Sequence, residues 1–104
     1  MKKNIAVFVS GKGTNLGAII NNIASGKLKA RIALVVSDRR GAFALKRAKT
    51  AGINTFYADP NKFAKKQDYE KFIIERLKRE NVELIVLAGF MRILSPFFIK
   101  KYKN

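Results

Sequence analysis

Neither cysteine nor histidine occurs among the 104 residues. Without thiols, disulfides and thiolate metal sites are excluded. Without imidazoles, the commonest general base and the commonest metal ligand are gone, and no metal is expected. Chemistry built from this chain alone would fall to lysine, tyrosine and a few carboxylates. Long apolar runs are also missing, since no stretch approaches the roughly 20 residues needed to span a bilayer. The opening Met1-Lys2-Lys3-Asn4 and the apolar Ile5 to Val9 superficially suggest a signal peptide, but Gly11, Lys12 and Gly13 interrupt the run at once. A cytoplasmic location and no membrane partner are expected. Acidic residues are scarce: 7 against 22 lysines and arginines, a net charge of +15. Such an excess raises the question of nucleic acid. The basic clusters Lys65-Lys66, Arg39-Arg40 and Lys100-Lys101 are short, however, and build no single basic helix with interleaved aromatics. Small phosphorylated or polyacidic ligands fit the charge equally well, and nucleic acid is not the expected partner.

What is present is ordinary globular material, 48% hydrophobic, with room for one small domain spanning residues 1–104. A domain this short buries a modest fraction of its surface and folds with little margin. The run Ile5 to Val9 predicts a strand buried on both faces. Ser10 to Thr14 reads as a Gly-rich turn. Leu16, Ile19, Ile20 and Ile23 then recur at helical spacing from Asn15 to about Ser25, where Gly26 is a stop signal. Arg31 to Ser37 predicts a second buried strand, Asp38 to Gly41 a polar turn, and Phe43 to Ala51 a helix closed by Gly52 at C′. Ile53 to Tyr57 predicts a third, shorter strand. A polar loop from Ala58 to Lys66 includes the turn Asp59-Pro60-Asn61. Asp68 is the expected cap of a helix to about Asn81, with Tyr69, Phe72, Ile73 and Leu77 on one face. Val82 to Leu87 predicts a fourth strand, Ala88 to Leu94 a loop, and Ser95-Pro96 the start of a last helix. Apolar strands alternating with helices give an α/β fold: a parallel sheet with helices on both faces and the first strand central.

In such sheets ligands bind at the carboxyl ends of the strands, and two loops at that edge stand out. Ser10-Gly11-Lys12-Gly13-Thr14-Asn15 follows strand one and opens a helix. Small residues let backbone approach an anion, and the helix N-terminus presents free N–H groups and a favourable dipole. A turn that merely joins strand to helix is the bland reading of the same residues. A dinucleotide fingerprint would need glycine at position 16, where Leu16 stands, and a Walker A loop would need Ser or Thr after Lys12. Asp38 as a ribose-binding acid, with Arg39 and Arg40 toward a 2′-phosphate, keeps a non-catalytic Rossmann-like nucleotide-binding module as an alternative. The second loop, Ala88 to Pro96, suits a flat aromatic ligand, or packs Met91, Ile93 and Leu94 beneath the last helix.

Ser10-Gly11-Lys12-Gly13-Thr14-Asn15-Leu16 resembles the SGxGSNL phosphate loop of phosphoribosylglycinamide formyltransferases. Val86 to Pro96 resembles the same family's VLAGFMRILSP segment, and Ser37-Asp38-Arg39 and Ala51-Gly52-Ile53 resemble its second-strand ending and third-strand entry. The resemblance implies a Rossmann-like formyltransferase fold, truncated, and transfer of a formyl group from 10-formyltetrahydrofolate to the amine of glycinamide ribonucleotide. It assigns Gly13, Thr14 and Asn15 to the substrate phosphate, with Thr14 replacing a family serine. It assigns Met91, Arg92, Ile93 and Leu94 to the folate pocket, together with Lys66, which stands where the family has an arginine and lacks that residue's bidentate fork. The family's catalytic Asn and His belong to an N-x-H-P motif, with an Asp further on, so the catalytic residues are expected beyond Asn104 and none in this chain. A homodimer is compatible with the resemblance. Methionyl-tRNA formyltransferase shares the fold but normally lacks this loop, and formyltetrahydrofolate deformylase normally carries an additional N-terminal domain.

Overall fold

A computed structural model describes residues 3–11 and 14–88. Strands β1 (Lys3–Val9), β2 (Ala30–Ser37), β3 (Thr55–Tyr57) and β4 (Leu84–Leu87) alternate with helices α1 (Thr14–Ala24), α2 (Phe43–Thr50) and α3 (Lys66–Arg79), and a 3-10 turn covers Pro60–Lys62. All pairings are parallel and the strand order is β3-β2-β1-β4, which places β1 inside the sheet as expected. Val7 lies opposite Val35 on one side and Val86 on the other.

Strand alternation divides the core in two. Ile5, Val7, Val9 and Val35 face α1 and α2, which contribute Leu16, Ala44, Leu45 and Ala48, with Ile19, Ile20 and Ile23 at the margin. Ala6, Phe8, Leu34 and Val36 face α3, which contributes Tyr69, Ile73, Ile74 and Leu77. The pairing of β1 with β2 shifts between Ile5 and Ala6, so Ala33 is the extra residue of a bulge. Among the described residues, helices therefore cover both faces, two on one and one on the other. Among the described residues, no helix is long and apolar enough to cross a membrane.

Several boundaries differ from the sequence pattern for local reasons. β1 begins at Lys3 because the ladder to β2 continues through Lys3 opposite Ala30. β3 begins at Thr55, although the Asn54 carbonyl already accepts the Val35 N–H at 2.9 Å. α3 begins at Lys66, with Lys65 at the N-cap and no side-chain cap bond, so Asp68 is not the cap. It stands in the first turn instead, where a carboxylate favours the helix dipole. Asn81 takes a left-handed φ of 57° after α3, the conformation that Gly52 adopts after α2 at 75°. The Val82 N–H then turns back to the Leu77 carbonyl at 3.0 Å, which delays β4 to Leu84. Phe72 is 41% exposed rather than core; its ring lies against Phe56 and Phe63 at centroid distances of 5.4 and 5.2 Å. Ile74 takes the buried position instead.

Candidate functional site at the carboxyl edge

Because the strands are parallel, β1, β2, β3 and β4 end at one edge, at Val9, Ser37, Tyr57 and Leu87. The two central strands carry their loops side by side there. After β1 the chain passes Ser10, which is buried, and Gly11 before α1 opens at Thr14. Thr14 and Asn15, the first two residues of α1, are exposed, and the first turn contains no acidic residue. The first N–H groups of a helix have no partner within it, and here the positive dipole end carries no acidic residue in its first turn to oppose an anion. Gly13 and the segment Met91, Arg92, Ile93 and Leu94 lie outside the described residues, as does the expected helix after Ser95-Pro96.

The turn after β2 is tied down by its own side chains. The Ser37 hydroxyl accepts the Arg39 N–H and donates to the Arg39 carbonyl, both at 3.1 Å. That clasp leaves Arg39 and Arg40 exposed, whereas Asp38 is buried at 8% exposure. Burial offers a ribose little access to Asp38, which weakens its reading as a ribose-binding acid. The Ala44 N–H reaches the Gly11 carbonyl at 3.2 Å, fastening the start of α2 to the loop after β1. Between these loops lies a cleft of about 330 Å³ lined by Ser10, Gly11, Arg39, Gly41, Ala42 and Phe43. It has small residues on one side, a guanidinium on the other and a phenyl ring at its rim. Such a cleft suits an anionic group carried on a small organic body.

The β3 end is more polar. The Ala58 N–H donates to the Ser37 carbonyl at 2.9 Å, and the buried Tyr69 hydroxyl donates to the Ala58 carbonyl at 3.0 Å. Asp59 caps the 3-10 turn through the Asn61 N–H at 2.9 Å. Tyr57 is half-buried, and its phenol is pushed above its ordinary value. Partial desolvation is the main cause, reinforced by the Asp59 carboxylate and its hydrogen bond and by Asp38, and opposed by Arg40.

The structure thus brings Thr14 and Asn15 to the edge beside the cleft. Lys66 is also exposed at a helix N-terminus on this edge, but α3 covers the opposite face of the sheet. The cleft wall of Gly41, Ala42 and Phe43 was not singled out from sequence as ligand-facing, because it depends on β2 lying next to β1. Among the described residues, no group of three or more Asp, Glu, His or Cys could hold a metal ion.

Comparison with known proteins bears on the fold and the family. A family profile described as formyl transferase matches residues 3–104. The phosphoribosylglycinamide formyltransferase of Escherichia coli is 40% identical over 99 residues, covering 95% of this chain and 47% of that protein. The chicken trifunctional purine biosynthetic protein adenosine-3 is 42% identical over 103 residues, 99% of this chain and 10% of that protein. Among solved structures, glycinamide ribonucleotide transformylase 1 from Geobacillus kaustophilus superposes with a TM-score of 0.94 at 38% identity, covering 99% of this chain and 55% of that one. The chain spans about half the length of the bacterial formyltransferases that it matches. With the profile matched along nearly the whole sequence and the fold shared, the chain belongs to the formyl transferase family.

Proposed function

We propose that this chain forms the substrate-binding part of a phosphoribosylglycinamide formyltransferase, which transfers a formyl group from 10-formyltetrahydrofolate to glycinamide ribonucleotide. The observation that carries this reading is the acid-free start of α1, with Thr14 and Asn15 exposed beside the Arg39 cleft. Gly13, Thr14 and Asn15 would hold the ribonucleotide phosphate through backbone N–H groups and the two polar side chains. Lys66 would meet a carboxylate of the folate as a point charge, and Met91, Arg92, Ile93 and Leu94 would line the pocket for its ring. In the reaction the substrate amine attacks the formyl carbon, and the tetrahedral intermediate collapses with release of tetrahydrofolate. An oxyanion donor and a general base are needed for those steps. With no histidine among its residues, the chain would supply binding and positioning, and the family's Asn, His and Asp would complete the site. Cytoplasmic location belongs to the same reading, since both substrates are small soluble metabolites.

Titration calorimetry with glycinamide ribonucleotide tests this directly. Asn15→Ala is expected to weaken binding by about 1–3 kcal/mol, the range for losing a charge-assisted hydrogen bond. Unchanged affinity would remove Asn15 from the site, and competition by NAD(P) in place of the ribonucleotide would favour the nucleotide-module alternative.

A further inference from the structure

The side of the sheet covered by α1 and α2 carries a second opening, a groove of about 480 Å³ between the two helices. Its lining includes Gly17, Ile20, Phe43, Lys46, Arg47 and Thr50. The missing side chain at Gly17 shapes it. A Cβ there would stand 3.3 Å from an Arg47 guanidinium nitrogen, so the notch in α1 is what the guanidinium occupies. The same guanidinium lies over the Phe43 ring, 5.1 Å from its centroid. Phe43 is nevertheless 51% exposed, leaving apolar surface in contact with water that burial by a partner would stabilise.

Charge on this side has one sign. Neither α1 nor α2 contains an acidic residue, and α2 carries Lys46, Arg47 and Lys49 on its exposed turns. From Met1 to Ala58, Asp38 is the sole acid, against eleven lysines and arginines, and it is buried away at the carboxyl edge. The α3 side differs, because Asp68, Glu70 and Glu75 lie within the helix and Glu80 follows it among the basic residues. The groove thus combines an apolar floor with a cationic rim, between two helices without acidic residues, of which α1 extends for about 16 Å.

We propose that the α1–α2 groove docks an acidic amphipathic helix of a partner protein. Its apolar stripe would seat on Ile20 and Phe43, and its carboxylates would pair with Lys46 and Arg47. Helix-in-groove recognition needs this pairing of an apolar trough with complementary charge at the rim. Single-stranded nucleic acid would instead need a succession of stacking rings, and Phe43 is the one aromatic residue in the lining. The groove shares Phe43 with the rim of the carboxyl-edge cleft, but Lys46 and Arg47 do not line that cleft, so K46E/R47E separates this proposal from the formyltransferase reading.

The test is fluorescence anisotropy with the whole chain. The probe is a labelled peptide of about five helical turns made of leucine, alanine and glutamate with leucines at helical spacing. Its scrambled isomer of equal charge and a uridine oligonucleotide serve as comparators. We expect the amphipathic peptide to bind about tenfold more tightly than the scrambled one, and the double reversal K46E/R47E to abolish that preference. Phe43→Ser, an exposed position whose change leaves the core intact, is expected to weaken the amphipathic peptide and not the scrambled one. Equal binding of the two peptides, or tighter binding of the oligonucleotide, would overturn the proposal in favour of a general polyanion surface. A preference that survives K46E/R47E would overturn it as well.

Discussion

The two faces of one sheet are built differently. The α1–α2 face packs aliphatic residues against valines and isoleucines: Leu16, Ala44, Leu45 and Ala48 meet Ile5, Val7, Val9 and Val35. Small residues at Ala44 and Ala48 let α2 lie close to the sheet beside α1. On the other face α3 is the one helix among the described residues, and aromatic rings pack beside it. Phe63 lies 5.8 Å from Tyr69 and 5.2 Å from Phe72, and Phe72 reaches Phe56. Arg76 closes that side, with its guanidinium 4.9 Å above the Phe56 ring and its Nε 2.9 Å from Glu80. One face is thus aliphatic inside and uniformly cationic outside, and the other is aromatic inside and mixed in charge outside. Among the described residues, two helices cover one face with small side chains, and on the other large rings from the flanking loop and strand pack beside α3.

The strongest test of that contrast is a pair of truncations at fully buried positions. Leu77→Ala on the α3 face and Leu16→Ala on the α1–α2 face should each cost about 2–5 kcal/mol in urea unfolding. Leu77→Ala should be the costlier, because the rings packed on the α3 face can shift to fill a cavity less readily than the aliphatic side chains around Leu16. A larger loss from Leu16→Ala would break the comparison. A smaller effect is expected from Tyr69→Phe, which removes the buried hydroxyl donor to the Ala58 carbonyl. About 1–3 kcal/mol should be lost on thermal or urea unfolding, the penalty for leaving that carbonyl unpaired. A neutral result would mean that the aromatic packing alone holds the α3 face.

The smallest effect is a pH dependence at the β3 end. The Tyr57 phenol is raised in the folded chain above its unfolded value of 10.0. The folded state therefore holds that proton more tightly, and the associated stability is complete below pH 10.0. It is lost as pH rises through the folded value. Tyr57→Phe should flatten this part of the alkaline unfolding profile, and a slope that persists in the variant would assign the loss to other groups.

Much of this organisation was legible in the residues. The apolar runs at Ile5–Val9 and Arg31–Ser37 read as buried strands because both faces of a covered parallel sheet exclude polar side chains. The glycine at 52 marked the end of α2 because an L side chain at its φ of 75° is strained. The start of α1 soon after β1 was legible because an apolar run, a small-residue stretch and a helical pattern follow in unbroken order. Capping was less so. Asp68 has the chemistry of an N-cap, yet the chain enters α3 three residues earlier, and backbone at Lys65 and Lys66 carries no side-chain mark of that choice. The aromatic pattern misled in the same way: Phe72 has helical spacing with Tyr69 and Leu77, but the ring cluster with Phe56 and Phe63 holds it at the surface.

The amino-acid sequence by itself determined the class of fold, the order of its elements and the loop that opens α1, because periodicity and turn chemistry are local properties of the chain. Tertiary structure alone decided which loops became neighbours. The strand order β3-β2-β1-β4 sets Arg39 and Phe43 beside Ser10 and Gly11, and it separates Lys66 onto the other face. It also lays α1 against α2, so that Gly17 and Arg47, far apart in the chain, share one groove. Those adjacencies follow from burying both faces of β1 and β2 at once, a condition that no single segment can express.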